Sequence, residues 1–304
     1  MAIHSKQKPF AILVRNPVSG QGNPEEIEQI IAEVFSKKGW SYTTLQTGKE
    51  SDIGKAFQSL LEKATLVVAI GGDGTVAEAA QFILNSSVPL AIVPTGSANI
   101  LAQELHIPLD VRQSVELALS CPSVRKIDAM RTETGVFLLQ IGIGLDARMI
   151  RDTPRSEKRI WGRFAYLKTL LLKLFTHHAT RYTIAVDGRN FRIKALQVLV
   201  ANAGVLGMPP FTWGDQINPS DGILDLCIVK TPSLQDYAFR LLKWLRGTYK
   251  EGPIIRYERI TRKVTIASDK PLSIQADGEI IGKTPITVEV VPQAITVVVP
   301  LPVE

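Results

Sequence analysis

The chain has 304 residues, 45% hydrophobic and 21% charged, which excludes a disordered polymer and a membrane-spanning protein and suits two globular domains. Two cysteines far apart, Cys121 and Cys227, exclude a disulfide framework and a cysteine metal knuckle, and the apolar run Phe10–Val14 is too brief for a signal-peptide core, so a reducing cytoplasm is expected. A net charge of +6 and a pI near 9.3 favour an anionic partner, nucleic acid or the anionic face of a membrane, without choosing between them.

Phe10–Val14 reads as a short buried strand. The stretch from Arg15 and Asn16 to Gly22, dense in turn formers and donors, is a candidate phosphate loop. Ile27, Ile30, Ile31, Val34 and Phe35 fall at helical spacing over Pro24–Lys38, and Gly39 ends that helix. Trp40–Leu45 alternates as a strand closed by Thr47-Gly48. Thr47 therefore stands at a strand end, where ligands of open α/β sheets bind, although a threonine there is also an ordinary cap. Ile53–Ala64 is an amphipathic helix.

The stretch from Leu66 to Gln81 organises the rest. Leu66–Ile70 is a continuous apolar run, the signature of a strand buried on both faces, and it stops at Gly71-Gly72-Asp73-Gly74. Thr75 and Glu78 stand at capping-box spacing ahead of Val76, Ala79, Ala80 and Ile83, so a helix is expected to start at Thr75. Three glycines in four positions bring backbone N–H groups close to an anion at a helix N-terminus. Asp73 would repel phosphate unless a hydrated Mg²⁺ stood between them, so a metal-nucleotide is the first reading. The plain alternative is a glycine turn with Asp73 as turn former. Leu90–Val93 is a further strand, ended by Pro94-Thr95-Gly96-Ser97-Ala98-Asn99 with Ser97 as helix N-cap before Ile100, Leu101 and Leu105. Two such turns at successive strand ends face the same edge of a parallel sheet and share one cleft.

From about Lys126 strands dominate: Phe137–Ile141, Tyr182–Val186, Phe191–Ile193, Leu196–Val200, Leu224–Val229, Val264–Ala267, Leu272–Gln275, Thr287–Val291 and Ile295–Val299. Asp187-Gly188 and Asp277-Gly278 are hairpin turns between such runs, and the whole reads as an all-β sandwich or closed sheet. One helix interrupts it, Gly162–Thr176, with Phe164, Leu167, Leu170, Leu171, Leu174 and Phe175 on one side and basic residues nearby. It covers the sheet or lies on an anionic membrane, and Tyr237–Tyr249 with Trp244 has the same two readings. His177 and His178 read as solvated helix-end residues.

Together, Asn16-Pro17 with Ser19-Gly20, then Gly71-Gly72-Asp73-Gly74-Thr75, then Pro94 to Asn99, and Asp277-Gly278-Glu279 resemble the diacylglycerol kinase catalytic-domain family, which includes bacterial lipid kinases and the sphingosine and ceramide kinases. The likeness covers nearly the whole chain in motif order, whereas the Gly-Gly-Asp-Gly-Thr run alone is shared with NAD kinases. It implies an α/β N-terminal nucleotide-binding domain with a parallel sheet, residues 1–125, and an all-β sandwich C-terminal domain, residues 126–304, whose last strand can return to the first.

The resemblance places ATP against Asn16, Thr47, Gly71, Gly72, Asp73, Gly74, Thr75, Val76, Ala77 and Ser97, with Asp73 organising Mg²⁺. It implies a structural Mg²⁺ on Asn218, Asp221 and Ile223, the first and last through backbone oxygens. Glu279 becomes the base that takes a proton from a lipid hydroxyl and Asp277 its partner, the reverse remaining open. Several bacterial members carry Asp after the asparagine equivalent to Asn99; this chain has Ile100, and Asp128 remains as another member of the carboxylate network. The expected activity is an ATP-dependent lipid kinase of lipid metabolism, cytoplasmic and in peripheral contact with anionic membrane. A kinase for a soluble acceptor such as NAD and a silent lipid-binding module are the alternatives. Nucleic acid is not expected, because Asp73, Asp277 and Glu279 would repel its backbone and the basic segments lack a recognition motif.

Overall fold

The computed structural model describes residues 9–16, 23–47, 53–144, 179–205, 212–230 and 255–301. The Ser19-Gly20 turn, the helices expected over 162–176 and 237–249, His177 and His178 lie outside them.

The N-terminal half is built on four parallel strands, β1 (Phe10–Arg15), β2 (Ser41–Gln46), β3 (Leu66–Gly71) and β4 (Leu90–Pro94), in spatial order β2-β1-β3-β4. Every residue of β3 and β4 is buried, because helices cover both faces of a parallel sheet. On one face lie α1 (Pro24–Lys37) and α5 (Val111–Ser120), packing Ile27, Ile31, Phe35, Val115 and Leu119 against Leu13, Val68 and Val93. On the other lie α2 (Ile53–Leu61), α3 (Asp73–Phe82) and α4 (Ile100–Glu104), with Phe57, Val76, Ala80 and Leu101 against Val67, Ala69 and Ile92. Each large apolar side chain so buried contributes roughly 1.5–3 kcal/mol. Asn23 caps α1, its Oδ1 accepting the Glu25 N–H at 3.0 Å.

The C-terminal half carries β5 (Ser123–Thr132), β6 (Gly135–Phe137), β7 (Gln140–Gly144), β8 (Thr180–Val186), β9 (Arg189–Ala195), β10 (Gln197–Ala201), β11 (Leu224–Val229), β12 (Ile255–Ile260), β13 (Lys263–Ser268), β14 (Ser273–Ala276), β15 (Glu279–Lys283) and β16 (Ile286–Val299). The first sheet continues as β4-β16-β13-β8-β9, with β5 and β6 attached through β16. The second sheet, β12-β11-β10-β7-β14-β15, is antiparallel throughout. Between the two lies an apolar core of Ile141, Ile143, Tyr182, Ile184, Val198, Leu226, Val264, Ile266 and Val288. The fold is thus an α/β half with a mostly parallel sheet joined to an antiparallel β-sandwich. Strand β16 pairs with β4 at Val297–Leu90 and with β13, so one sheet runs through both halves.

Asp187-Gly188 and Asp277-Gly278 both form the expected hairpins, with φ of 49° and 92° at the first and 46° and 95° at the second. Positive φ at both central positions is the type I′ geometry that matches strand twist.

Four local expectations differ. The helix after the first glycine turn starts at Asp73, with Gly72 as extended N-cap and no side-chain cap. Thr75 is already inside it, its N–H donating to the Gly72 carbonyl at 3.0 Å. Ser97 does not cap the next helix: it is exposed, and Asn99 in the left-handed region (φ 50°) occupies the N-cap. The expected strand Phe137–Ile141 is broken at Leu138-Leu139, whose N–H groups turn to the Asp277 carboxylate instead of a ladder. The runs Thr287–Val291 and Ile295–Val299 form one strand, interrupted by a bulge at Pro292-Gln293-Ala294. Pro292 has no N–H to give, and the Gln293 N–H goes to Asp128 Oδ1 at 2.7 Å.

Candidate active site

The glycine turns after β3 and β4 touch. A Cβ on Gly72 would stand 3.2 Å from the Gly96 Cα, and one on Gly96 would overlap the Gly72 Cα. Glycine is required at Gly96 by this backbone approach, and at Gly72 a side chain would press on the facing turn. The second turn is held by a reciprocal pair, the Gly96 N–H donating to Asn99 Oδ1 and Asn99 Nδ2 donating to the Gly96 carbonyl, each at 2.9 Å. The Thr95 N–H donates to the Gly71 carbonyl at 3.0 Å, and a Cβ on Gly71 would overlap the buried Thr75 hydroxyl. Gly74 differs: it is exposed, and a Cβ there would meet nothing within 4 Å. No protein atom demands glycine at Gly74, so the open backbone of the first turn of α3 fits close approach by an anion.

Asp73 is the first residue of α3 and lies against the start of α4. Burial pushes its carboxyl above the usual carboxylate range, offset in part by N–H groups of Leu101, Ile100 and Asn99. The Leu101 N–H reaches Asp73 Oδ1 at 3.4 Å. The backbone N–H of Ile100 therefore faces the carboxylate of Asp73 as well. Thr47 follows β2 and is buried. Burial pushes the Glu78 carboxyl above the usual carboxylate range, and the neighbouring Thr47 hydroxyl offsets part of that rise. Val76 is buried in the helix core, Ala77 is half-buried, and Asn16 is half-buried at the end of β1.

The second half brings its acids to the same place. At the β14–β15 turn, Asp277 Oδ1 accepts the N–H groups of Leu139 at 3.0 Å and Gln140 at 2.9 Å, and Oδ2 that of Leu138 at 2.8 Å. Burial of the carboxyl outweighs these three bonds and, with the Asp73 charge, pushes it up to about 6. Glu279, two residues on, is exposed at the start of β15, and its charge raises the pKa of Glu78 on α3. The charge of Asp73 thus reaches Asp277, and that of Glu279 reaches Glu78, so acids of α3 and of the β14–β15 turn lie within electrostatic range of one another.

Glu78 was missed as a site residue because the capping-box spacing accounted for it. The available signal was its i,i+4 relation to the exposed Gly74 on the same face of α3. Gln275 was missed as well: it is buried, its Oε1 accepts the Gly278 N–H at 3.1 Å, and it fixes the turn that presents Asp277 and Glu279.

The Asn218–Ile223 loop is tied to Asp128, whose N–H donates to the Pro219 carbonyl. Asn218 Oδ1 accepts from Arg125 Nη2 at 2.6 Å and from the Ser220 N–H at 3.1 Å, so its side-chain oxygen is committed. Asp221 Oδ1 accepts the Ile223 N–H at 3.1 Å, and Oδ2 stands 3.7 Å from Arg259. Burial and the Asp221 charge push Asp225 up to about 6, and the same two causes raise Asp128, whose oxygens also accept from Gly222 and Gln293. This excess of negative charge fits a cation beside Asp221 held otherwise by backbone oxygens. Among the described residues, no group of three or more His, Cys, Asp or Glu side chains forms a metal centre.

Residues 10–132 match the family profile described as "Diacylglycerol kinase catalytic domain", and residues 140–299 match "YegS C-terminal NAD kinase beta sandwich-like domain". An uncharacterized protein of Synechocystis is 25% identical over 307 residues, 95% of this chain and 70% of that one. A Staphylococcus aureus protein named "Putative lipid kinase" is 25% identical over 261 residues, 81% of this chain and 82% of its own. The crystal structure of a diacylglycerol kinase from Bacillus anthracis is similar with a TM-score of 0.76 at 24% identity, covering 98% of this chain and 99% of that one. At that identity the structural likeness speaks for the fold, and the sequence profiles speak for the family. With one profile spanning the α/β half and the other the sandwich, the chain belongs to the diacylglycerol kinase catalytic-domain family with a YegS-type C-terminal domain.

Proposed function

We propose that this protein is an ATP-dependent lipid kinase that transfers the γ-phosphate to a hydroxyl of diacylglycerol or a related lipid. The observation that carries the reading is the electrostatic coupling of Asp73 to Asp277 and of Glu78 to Glu279, acids from the two halves, beside glycine turns whose backbones touch. The triphosphate lies along Gly71 to Ala77, with Asn16, Thr47 and Ser97 at its margin, and Asp73 is the carboxylate that would hold Mg²⁺ there. Bound Mg²⁺ supplies neutralisation of triphosphate charge. Glu279 takes the proton of the lipid hydroxyl as that oxygen bonds to the γ-phosphorus and the bond to the ADP oxygen breaks. Asp277, its oxygens committed to Leu138, Leu139 and Gln140, positions the turn that carries Glu279. A general base adds about 10²-fold or somewhat more, and in-line placement with charge neutralisation the larger share.

Residues 1–125 serve as the nucleotide unit and 126–304 as the lipid unit, and Asp221 with the backbone oxygens of Asn218 and Ile223 would hold a structural Mg²⁺. The enzyme works in the cytoplasm in peripheral contact with anionic membrane, a reading supported by its net charge of +6; among the described residues no helix is long and apolar enough to cross a membrane. Radiolabelled ATP offered with mixed micelles of diacylglycerol, a sphingoid base and phosphatidylglycerol, and separately with NAD, tests the reading. Label on a lipid hydroxyl is expected; label on NAD alone would make it a soluble-acceptor kinase.

A further inference from the structure

Glu104 closes α4, and its Oε2 accepts the N–H groups of Gly204 and Val205, each at 2.9 Å. These belong to the segment after β10, in the other half of the molecule. Two residues earlier, the buried Asn202 donates from Nδ2 to the carbonyls of Leu138 at 2.7 Å and Asp128 at 2.9 Å. The N–H groups of Asn202 and Ala203 both donate to the Leu139 carbonyl, at 2.9 and 3.1 Å. Leu138, Leu139 and Gln140 are the residues whose N–H groups hold Asp277. At the other end of α4, the Leu101 N–H reaches Asp73. A continuous path of backbone and hydrogen bonds therefore runs from Asp73 through α4 and Glu104 to residues 202–205, on to 138–140, and ends at Asp277.

Helix energetics does not account for Glu104. An acid in the last turn of a helix meets the negative end of the macrodipole, so this carboxylate works against α4 locally. Its two charge-assisted bonds go to the other half instead, and they are of the strong class.

We propose that Glu104 is a positioning residue that holds the Asp277–Glu279 turn in register with Asp73. It touches no reacting atom and acts by fixing the separation of the acids supplied by the two halves. The activity readout rests on the kinase reading above; the second readout does not.

The test compares Glu104→Ala and Glu104→Gln with the wild-type chain in lipid phosphorylation and in amide hydrogen exchange. Losing the two bonds in Glu104→Ala is expected to lower kcat about tenfold while KM for ATP stays within about twofold, because misplacement affects the transferring geometry more than nucleotide binding. Glu104→Gln keeps an acceptor oxygen and is expected to retain about half of kcat or more. Exchange at 138–140 and 204–205 should quicken about tenfold in Glu104→Ala and stay unchanged at 261–263, in a distant hairpin. Unchanged exchange at 138–140, or a kcat equal to wild type, would overturn the proposal. If the wild type labels no lipid, the kinase reading fails, and the exchange pattern alone then decides the role of Glu104.

Discussion

At the scale of single residues, the site separates glycines required by the protein from one left open for a ligand. Gly72 and Gly96 cannot carry a Cβ without parting the two turns, whereas Gly74 can. Gly74→Ala should therefore leave the fold intact and even gain a few tenths of a kcal/mol, up to about 1, from helix propensity. Its methyl group would stand where phosphate approaches α3, and KM for ATP should rise about tenfold, the equivalent of one lost good contact. Gly96→Ala should instead lower the unfolding midpoint, at a cost of about 1–3 kcal/mol of overpacking. Thermal unfolding with nucleotide titration on both variants separates the cases; equal destabilisation by the two would contradict the assignment of Gly74. The identities of Asp73, Asp277 and Glu279 were legible in the sequence because each sits in a short glycine-bearing motif. Glu78, Asn202 and Glu104 were not, since their partners lie in distant segments: Glu104 is 100 residues from Gly204.

At the scale of elements, hairpin turns show what an Asp-Gly pair does without an active site. Asp187 Oδ1 accepts the N–H groups of Arg262 and Lys263, and Oδ2 accepts the N–H and hydroxyl of Thr261. Desolvation works to raise its carboxyl, but these bonds outweigh it and hold the group at about 2. A folded pKa depressed below the unfolded value gives stability that is present above the unfolded pKa near 4 and lost as pH falls towards 2. Asp187→Asn should thus lower the unfolding midpoint at neutral pH by the equivalent of about 1 kcal/mol, the group being only half-buried. The gap between the variants should shrink as pH falls through about 3 and close only near and below about pH 2; a gap that persists there would mean the loss is steric rather than electrostatic. Both Asp-Gly hairpins were legible from the dipeptide between β-rich runs. The strand breaks were not, because the interruption at Leu138-Leu139 is imposed by Asp277 and the bulge at Gln293 by Asp128, contacts spanning 139 and 165 residues. Helix α3 starting at Asp73 has the same origin: Gly72, pressed against Gly96, leaves the ladder two residues before the Thr75 expected from local spacing.

At the scale of the molecule, one sheet threads both halves through β16, while the hydrogen bonds of Glu104, Asn202 and Asp277 tie the halves a second time. Alternation of strands and helices up to Lys126 and the run of short strands after it made both halves legible. Their junction was less so, because β5 and β16, which pair over most of their lengths, open and close the C-terminal half and lie far apart in sequence. The central claim is that acids from the two halves act on one phosphoryl group, and single-turnover transfer from radiolabelled ATP to lipid tests it most directly. Wild type should label lipid, and Asp73→Asn and Glu279→Gln should each slow transfer about 10²-fold or more while unfolding as wild type does. A Glu279→Gln chain that labels lipid at the wild-type rate would contradict the account.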